Sequence, residues 1–339
     1  MKVCIFGAGA IGGFLAVPMR QAGIDVSVVA RGAHLAAIRR DGLTLEIAGQ
    51  ERIAALPATD DPAELGPQDV VVVTLKAHQA WAAAGSMAPL LGPGTMVVPA
   101  QNGIPWWYFH GVPGPHAGRR LDSVDPGGRQ WQAIGAQRVI GCTVYSANEL
   151  VAPGVVRHIQ GDAFGLGEPE GGITDRLKRV AGLFERAGLT VRLMPDIRED
   201  IWLKLWGTLC FNPISALTRA TMDVVGTDPG TRALARAMMV EAEAVGRRLG
   251  VSFRVEVDRR LAGAARVGAH KTSTLQDVER GRPLEIDALL TVVQELARLT
   301  GIETPAIDAV LALVQQLGRS LGLYPVFPEP AALAEAAAG

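Results

Sequence analysis

The stretch KVCIFGAGAIGGFLAV (2–17) constrains the fold more than any other part of the chain. A short apolar run, KVCIF (2–6), passes straight into Gly7-Ala8-Gly9-Ala10-Ile11-Gly12, and a helix-like segment follows (residues 10 to 22). This order reads as a buried strand, a glycine turn and a helix. Gly7 permits the tight turn, Gly9 lets the backbone approach a pyrophosphate, and Gly12 lets the helix lie close to the strand. The helix N-terminus then offers unpaired N–H groups and the positive end of its dipole to phosphate. With 40 glycines in the chain the spacing alone means little, and its context is what selects Gly7, Ala8, Gly9, Ala10, Ile11 and Gly12 as candidate dinucleotide-binding residues. A bare strand-to-helix turn is the alternative.

The pattern then repeats. DVSVVA (25–30), DVVVVTL (69–75) and GTMVVPA (94–100) read as strands, AHLAAIRRDG (33–42) as a helix ending at Gly42, and VIGCTVYSA (139–147) continues the β signal. Near-continuous Val/Ile runs predict strands covered on both faces, and their alternation with helices predicts a doubly wound parallel sheet. From Asp196 onward the apolar spacing is helical, with segments near 229–250, 255–268, 283–299 and 305–321. Asp196 followed by Glu199 reads as a capping box opening the helix that carries Lys204. The chain therefore divides into an α/β domain over 1–195 and an all-helical domain over 196–339, whose AALAEAAAG tail (331–339) reads as a short helix or frayed end.

Composition excludes several classes of function. Lys+Arg number 33 against 34 Asp+Glu, so there is no electrostatic case for nucleic acid or an anionic membrane surface. No apolar run reaches the roughly 18 residues of a membrane span. The chain starts on Met-Lys and enters a strand at once, which leaves no room for a signal peptide. Cys4, Cys142 and Cys210 have neither CxxC nor zinc spacing and read as reduced thiols of a cytoplasmic protein. His34, His110, His116 and His158 show no ligand spacing and read as surface or satisfied residues, so no metal is expected.

The end of the second strand selects the dinucleotide. An NAD site commonly places an acid there for the ribose 2′-hydroxyl. This strand ends Val29-Ala30-Arg31-Gly32, and Asp25 stands at its other end. Arg31 is suited to a 2′-phosphate, which favours NADP; a solvated surface arginine is the alternative. Lys76 in TLKAHQ and Asn102 in PAQNG follow the next two strands, where open α/β sheets bind ligands, and are candidates for ribose, phosphate or the nicotinamide end.

WLKLWGTLCFNP (202–213) places one lysine among apolar side chains. Burying an ammonium is costly unless it is paired or used. On a helix, Lys204, Thr208 and Asn212 fall on one stripe, which suggests a polar row facing a site. The alternatives are a lysine that snorkels to solvent, a Thr208 bonded to its own helix backbone, and an Asn212 bonded locally where Pro213 breaks the helix. Residues 105–138 open on Pro105-Trp106-Trp107-Tyr108-Phe109 and continue rich in Pro and Gly. A lid, an aromatic pocket wall or a satellite core under a long loop would each fit.

GAGAIGG, TLKAHQ, QNG, WLKLWGTLCFNP and STLQDVERGRPLEID together resemble the ketopantoate reductase (2-dehydropantoate 2-reductase) family, over residues 1 to about 290. The resemblance implies an N-terminal Rossmann domain, an all-helical C-terminal domain and an active site in the cleft between them. It implies an enzyme of pantothenate biosynthesis that uses NADPH to reduce a 2-oxo acid to the 2-hydroxy acid, and it leaves a homodimer open. By the same resemblance Lys204 is the lysine that protonates the ketone. Glu285 contacts the substrate hydroxyl and that lysine, Asn212 lies in the substrate site, and Ser273 contacts the substrate carboxylate. Lys76 and Asn102 lie near ribose and nicotinamide, with Asn102 also near the substrate. Ser273 as a helix cap and Glu285 as a first-turn acid after Pro283 are the plainer readings. The chain departs from the family at Thr208, where an asparagine is frequent, at His270, and in the long 105–138 segment. Two other functions compete: a two-domain dehydrogenase for a different hydroxy or oxo acid, and a non-catalytic NADP-binding sensor.

Overall fold

The computed structural model describes residues 1–324, so the tail at 331–339, expected as a short helix or frayed end, lies outside the described residues. The chain opens with β1 (Lys2–Phe6), α1 (Ala10–Gln21), β2 (Asp25–Val29) and α2 (Gly32–Asp41). β3 (Leu43–Ile47), β4 (Gln50–Ala54), β5 (Ala58–Thr59), β6 (Gln68–Val73), α3 (Ala77–Ala80) and β7 (Leu91–Pro99) follow. Next come α4 (Arg129–Ala133), the long hairpin β8 (Gly141–Ala152) and β9 (Val155–Gly167), α5 (Asp175–Arg186) and β10 (Thr190–Leu193). The remainder is helical: α6 (Ile197–Thr218), α7 (Met222–Thr227), α8 (Pro229–Arg248), α9 (Val257–Ala265) and α10 (Ser273–Glu279), then a π-helical turn (Asp287–Thr291), α11 (Val292–Thr300) and α12 (Pro305–Ser320).

The chain forms two compact units. The first comprises Met1–Arg120 and Arg129–Asp200; the second comprises Leu121–Gly128 and the described residues from Ile201 on. In the first unit a five-stranded sheet has the order β5-β2-β1-β6-β7 with every pair parallel. This doubly wound order reverses direction between β1 and β6, the point where such sheets bind ligands beyond their carboxyl ends. Val70, Val71 and Val72 are completely buried in β6, as continuous valine runs covered on both faces require.

A second sheet, β10-β9-β3-β4 with β8 paired to β9, lies outside the expected plan. VIGCTVYSA does not extend the parallel sheet: apart from a single bridge, Val97 to Val139, it enters the antiparallel β8–β9 hairpin. The physical reason lies in α1, which packs against β2 as well as β3, β4, β8 and β9. All its residues from Gly12 to Met19 are buried, and the second sheet supplies the cover. Gly13 is part of this fit, because a Cβ there would lie 2.6 Å from Val156 Cγ2.

Trp106, Trp107, Tyr108 and Phe109 are at most 2% exposed, so the aromatic segment forms a satellite core rather than an open pocket wall. Trp106 meets Trp131 edge-on with ring centroids 6.1 Å apart. The Arg198 guanidinium donates to the carbonyls of Tyr108 at 2.8 Å, His110 at 2.6 Å and Pro169. Residues 121–128 join the second unit, where Asp122 N–H at 3.1 Å and Ser123 N–H at 3.0 Å donate to the Glu295 carboxylate.

In the second unit α8 packs against α7, α9, α11 and α12. The Trp206 indole N–H donates to the Met239 carbonyl at 2.6 Å and joins α6 to α8. Helix α6 runs through Pro213 to Thr218, so the break at that proline on which the alternative reading of Asn212 depends does not occur. The expected helix at 283–299 begins only at Asp287, as a π turn, which leaves Glu285 in a non-helical stretch. Among the described residues no helix is long and apolar enough to cross a membrane.

Candidate active site

The glycine loop sits where the first strand ends. Gly7 has φ of +110°, a region that side chains rarely enter, and the N–H groups of Gly7 and Ala8 both donate to the Val29 carbonyl at 3.0 and 3.2 Å. Gly9 is the residue before the first turn of α1, and a Cβ there would meet nothing within 4 Å. Gly12 is the opposite case: a Cβ would overlap the Gly7 carbonyl oxygen and lie 2.7 Å from Thr74 Oγ1. The Thr74 hydroxyl itself donates to that carbonyl and ties the end of β6 to the loop.

Gly7, Ala8, Gly9, Ala30, Arg31, His34, Asp60, Leu75, Gln79 and Ser86 are among the residues around a cleft of about 550 Å³. Arg31 is exposed on this cleft, at the residue preceding α2. An acid also reaches it from a neighbouring strand. Thr59 is paired with Val29, and Asp60 follows, 3.9 Å from Arg39. His34 is satisfied on both ring nitrogens: Nδ1 accepts from Gly154 N–H at 2.8 Å, which leaves Nε2–H to donate to the Ala8 carbonyl at 2.7 Å. It thereby links the loop to the β8–β9 turn. Lys76 precedes α3, and its N–H donates to Gln79 Oε1 at 3.4 Å. Asn102 is half-buried just beyond β7, beside Gln101, whose amide donates to the Leu75 carbonyl at 2.9 Å. The residues lining the cleft, which do not include Lys76 or Asn102, fit a dinucleotide: an open approach at Gly9, a helix N-terminus behind it, and Arg31, Gln79 and Ser86 as polar groups along the rim.

The polar stripe of α6 lies in the second unit. Lys204 and Thr208 are half-buried and Asn212 is 7% exposed, while Trp202, Leu205, Trp206, Leu209, Cys210 and Phe211 are at most 1% exposed. The Thr208 hydroxyl donates within its own helix, to the Leu205 carbonyl at 3.2 Å and the Lys204 carbonyl at 3.4 Å. Asn212 does not bond locally; its Nδ2 donates to Ser273 Oγ at 3.2 Å. Capping of α10 falls to Thr272, whose hydroxyl accepts from Leu275 N–H, which leaves Ser273 exposed at the first helical position. Glu285 is half-buried two residues before the π turn.

Known proteins resemble this chain. The family profile described as ketopantoate reductase PanE/ApbA covers residues 3–106, and that of its C-terminal part covers residues 196–318. A 2-dehydropantoate 2-reductase of Mesorhizobium japonicum is 57% identical over 91% of this chain and 94% of its own length. The chain belongs to the ketopantoate reductase family.

As a member of that family it is an oxidoreductase with a Rossmann N-terminal region and a helical C-terminal region. Ketopantoate reductase structures include one from Ralstonia solanacearum MolK2, provisionally so assigned, that is 46% identical over 95% of this chain and 99% of its own, at TM-score 0.92. A D-mandelate dehydrogenase solved with NADH and anilino(oxo)acetate shares the fold, 21% identical over 95% of this chain and 100% of its own, at TM-score 0.82.

Thr74, Asp60 and Asp200 are not among the residues that the sequence motifs select. Asp200 extends the spacing 204, 208, 212 by one turn toward the start of α6 and is 4% exposed. Its carboxylate accepts from the hydroxyls of Thr143 and of Tyr145, the latter at 2.9 Å. The four-residue spacing was the available signal for Asp200. Nothing in the sequence pointed to Asp60, which reaches the cleft only because β5 pairs with β2.

Proposed function

We propose that this ketopantoate reductase family member reduces a 2-oxo acid, ketopantoate or a close relative, to the 2-hydroxy acid with NADPH. The observation that carries the reading is the Asn212–Ser273 bond, because it joins the two motifs expected to form one substrate site. NADPH, when bound, would supply hydride to the substrate carbonyl. Lys204 donates a proton to the carbonyl oxygen as negative charge develops there, and Glu285 holds the substrate hydroxyl and orients the ammonium. Asn212, Ser273 and Thr208 bind the polar end of the substrate, and Asn102 serves as a further substrate contact. Gly7 to Gly12 cradle the pyrophosphate, Lys76 and Asn102 hold the ribose and nicotinamide end, and Arg31 pairs with the 2′-phosphate. The reading includes an α/β domain over 1–195, a helical domain over 196–339, and a homodimer in the cytoplasm serving pantothenate biosynthesis.

One observation favours a second reading of the dinucleotide. Asp60 lines the same cleft as Arg31, and an acid near the adenosine ribose suits NAD. NADPH and NADH oxidation across a panel of 2-oxo acids that includes ketopantoate tests both. The expected result is turnover of ketopantoate with NADPH, and a drop of about a hundredfold or more in Lys204→Ala with dinucleotide affinity kept. Unchanged turnover in Lys204→Ala would remove the acid role, and a preference for NADH would favour the second reading.

A further inference from the structure

Glu285 lies in a stretch with no helix of its own, immediately ahead of the π turn Asp287–Thr291. Two bonds from the turn after α12 bracket it. Leu284 N–H donates to the Leu323 carbonyl at 2.7 Å, and the Tyr324 hydroxyl donates to Asp287 Oδ1 at 2.7 Å. Adjacent residues thus hold the positions one before and two after Glu285. The same Asp287 oxygen accepts from the Thr291 hydroxyl at 2.6 Å and closes the π turn on itself. Gln315 of α12 donates to the Tyr324 hydroxyl at 3.1 Å.

Gly318 completes the arrangement. Its carbonyl accepts from Leu323 N–H at 2.8 Å and Tyr324 N–H at 3.2 Å. A Cβ on Gly318 would lie 2.7 Å from Tyr324 Cβ, so any side chain there displaces the turn. A carboxylate that meets a substrate must be held to within about 0.5 Å, and a residue outside any helix gets no such restraint from its own backbone ladder. Single π turns recur at functional sites for the same reason, since they re-aim the residues beside them.

We infer that the Leu323–Tyr324 turn is a clamp that positions Glu285, with Tyr324 as a positioning residue acting through Asp287. The inference rests on the catalytic role proposed above for Glu285. Its test is a double-mutant cycle of Tyr324→Phe and Glu285→Ala, reading kcat and KM for the 2-oxo acid, dinucleotide Kd and the thermal midpoint. Tyr324→Phe should fold and bind NADPH as the parent does, yet lower kcat about 10- to 100-fold. It should cause no further loss in the Glu285→Ala background. Gly318→Ala should reproduce the kcat loss with the hydroxyl still present, and it decides the matter if Tyr324→Phe is unfolded at the assay temperature. An impaired Glu285→Ala beside normal Tyr324→Phe and Gly318→Ala enzymes overturns the clamp alone. An equal further loss in the Glu285→Ala background also overturns it, since Tyr324 would then act elsewhere. Normal turnover in Glu285→Ala overturns the role of Glu285 and the clamp with it.

Discussion

Asn212 on α6 donates through Nδ2 to the hydroxyl of Ser273, the first residue of α10, at 3.2 Å across 61 positions of sequence. Asn212 is buried and Ser273 exposed, so the amide is anchored and the hydroxyl is presented. Asn212→Ala should raise the KM for the 2-oxo acid at least about tenfold, the scale of losing a buried hydrogen bond, with dinucleotide Kd unchanged. Ser273→Ala should raise KM in the same direction. Steady-state kinetics beside a dinucleotide titration make the comparison, and an unaltered KM in both variants would separate this pair from the substrate.

The two glycines of the loop should respond in opposite ways. Gly9→Ala adds a methyl into open space, so its unfolding midpoint should stay near the parent's while dinucleotide affinity falls. Gly12→Ala drives a methyl into the Gly7 carbonyl and should destabilise by about 3 kcal/mol or more, because α1 and the loop must separate. Urea unfolding of the two variants is the check, and equal stabilities would contradict the contact.

Arg31 and Asp60 line the same cleft with opposite formal charges. Arg31→Ala should weaken NADPH about tenfold or more and leave NADH nearly unchanged, since only NADPH carries the 2′-phosphate. Asp60→Asn should do little to NADPH. Equal losses of the two dinucleotides in Arg31→Ala would mean that the guanidinium does not read the phosphate.

Burial pushes the Asp287 carboxyl up to about 6, against the opposing pull of the Thr291 and Tyr324 hydroxyls. The unfolded chain releases this proton near pH 4, so between about 4 and 6 the native state binds more protons than the unfolded state. Stability from this group is therefore full below pH 4 and lost as pH rises through about 6, by roughly 2–3 kcal/mol. Asp287→Asn should remove that step. Urea unfolding at intervals from pH 4 to 7 tests it, and parallel curves for the two proteins would rule it out.

Much of the first unit was legible because its signals are local. β1 occupies Lys2–Phe6 and α1 starts at Ala10, as the apolar run and the glycines require. The lysine stripe was legible for the same reason, since a four-residue spacing needs only a continuous helix, and α6 continues past Pro213. β9 was not read, because residues 159–162 in its middle are exposed and break the apolar pattern. Without β9 the second sheet could not be inferred, and the VIGCTVYSA run was legible as β but not as part of a hairpin.

The sequence by itself determined the glycine loop, the valine strands, the helical second half and the motifs that mark the family. Those depend on backbone sterics and on side-chain period, which act over a few residues. Only the tertiary structure decided that α1 is covered by a second sheet, that Asp60 lines the same cleft as Arg31, that Asn212 reaches Ser273, and that Leu323 and Tyr324 bracket Glu285. Each of these joins positions far apart in the chain. No local preference encodes such a pairing; the burial of apolar surface and the bonding of buried polar groups select it together.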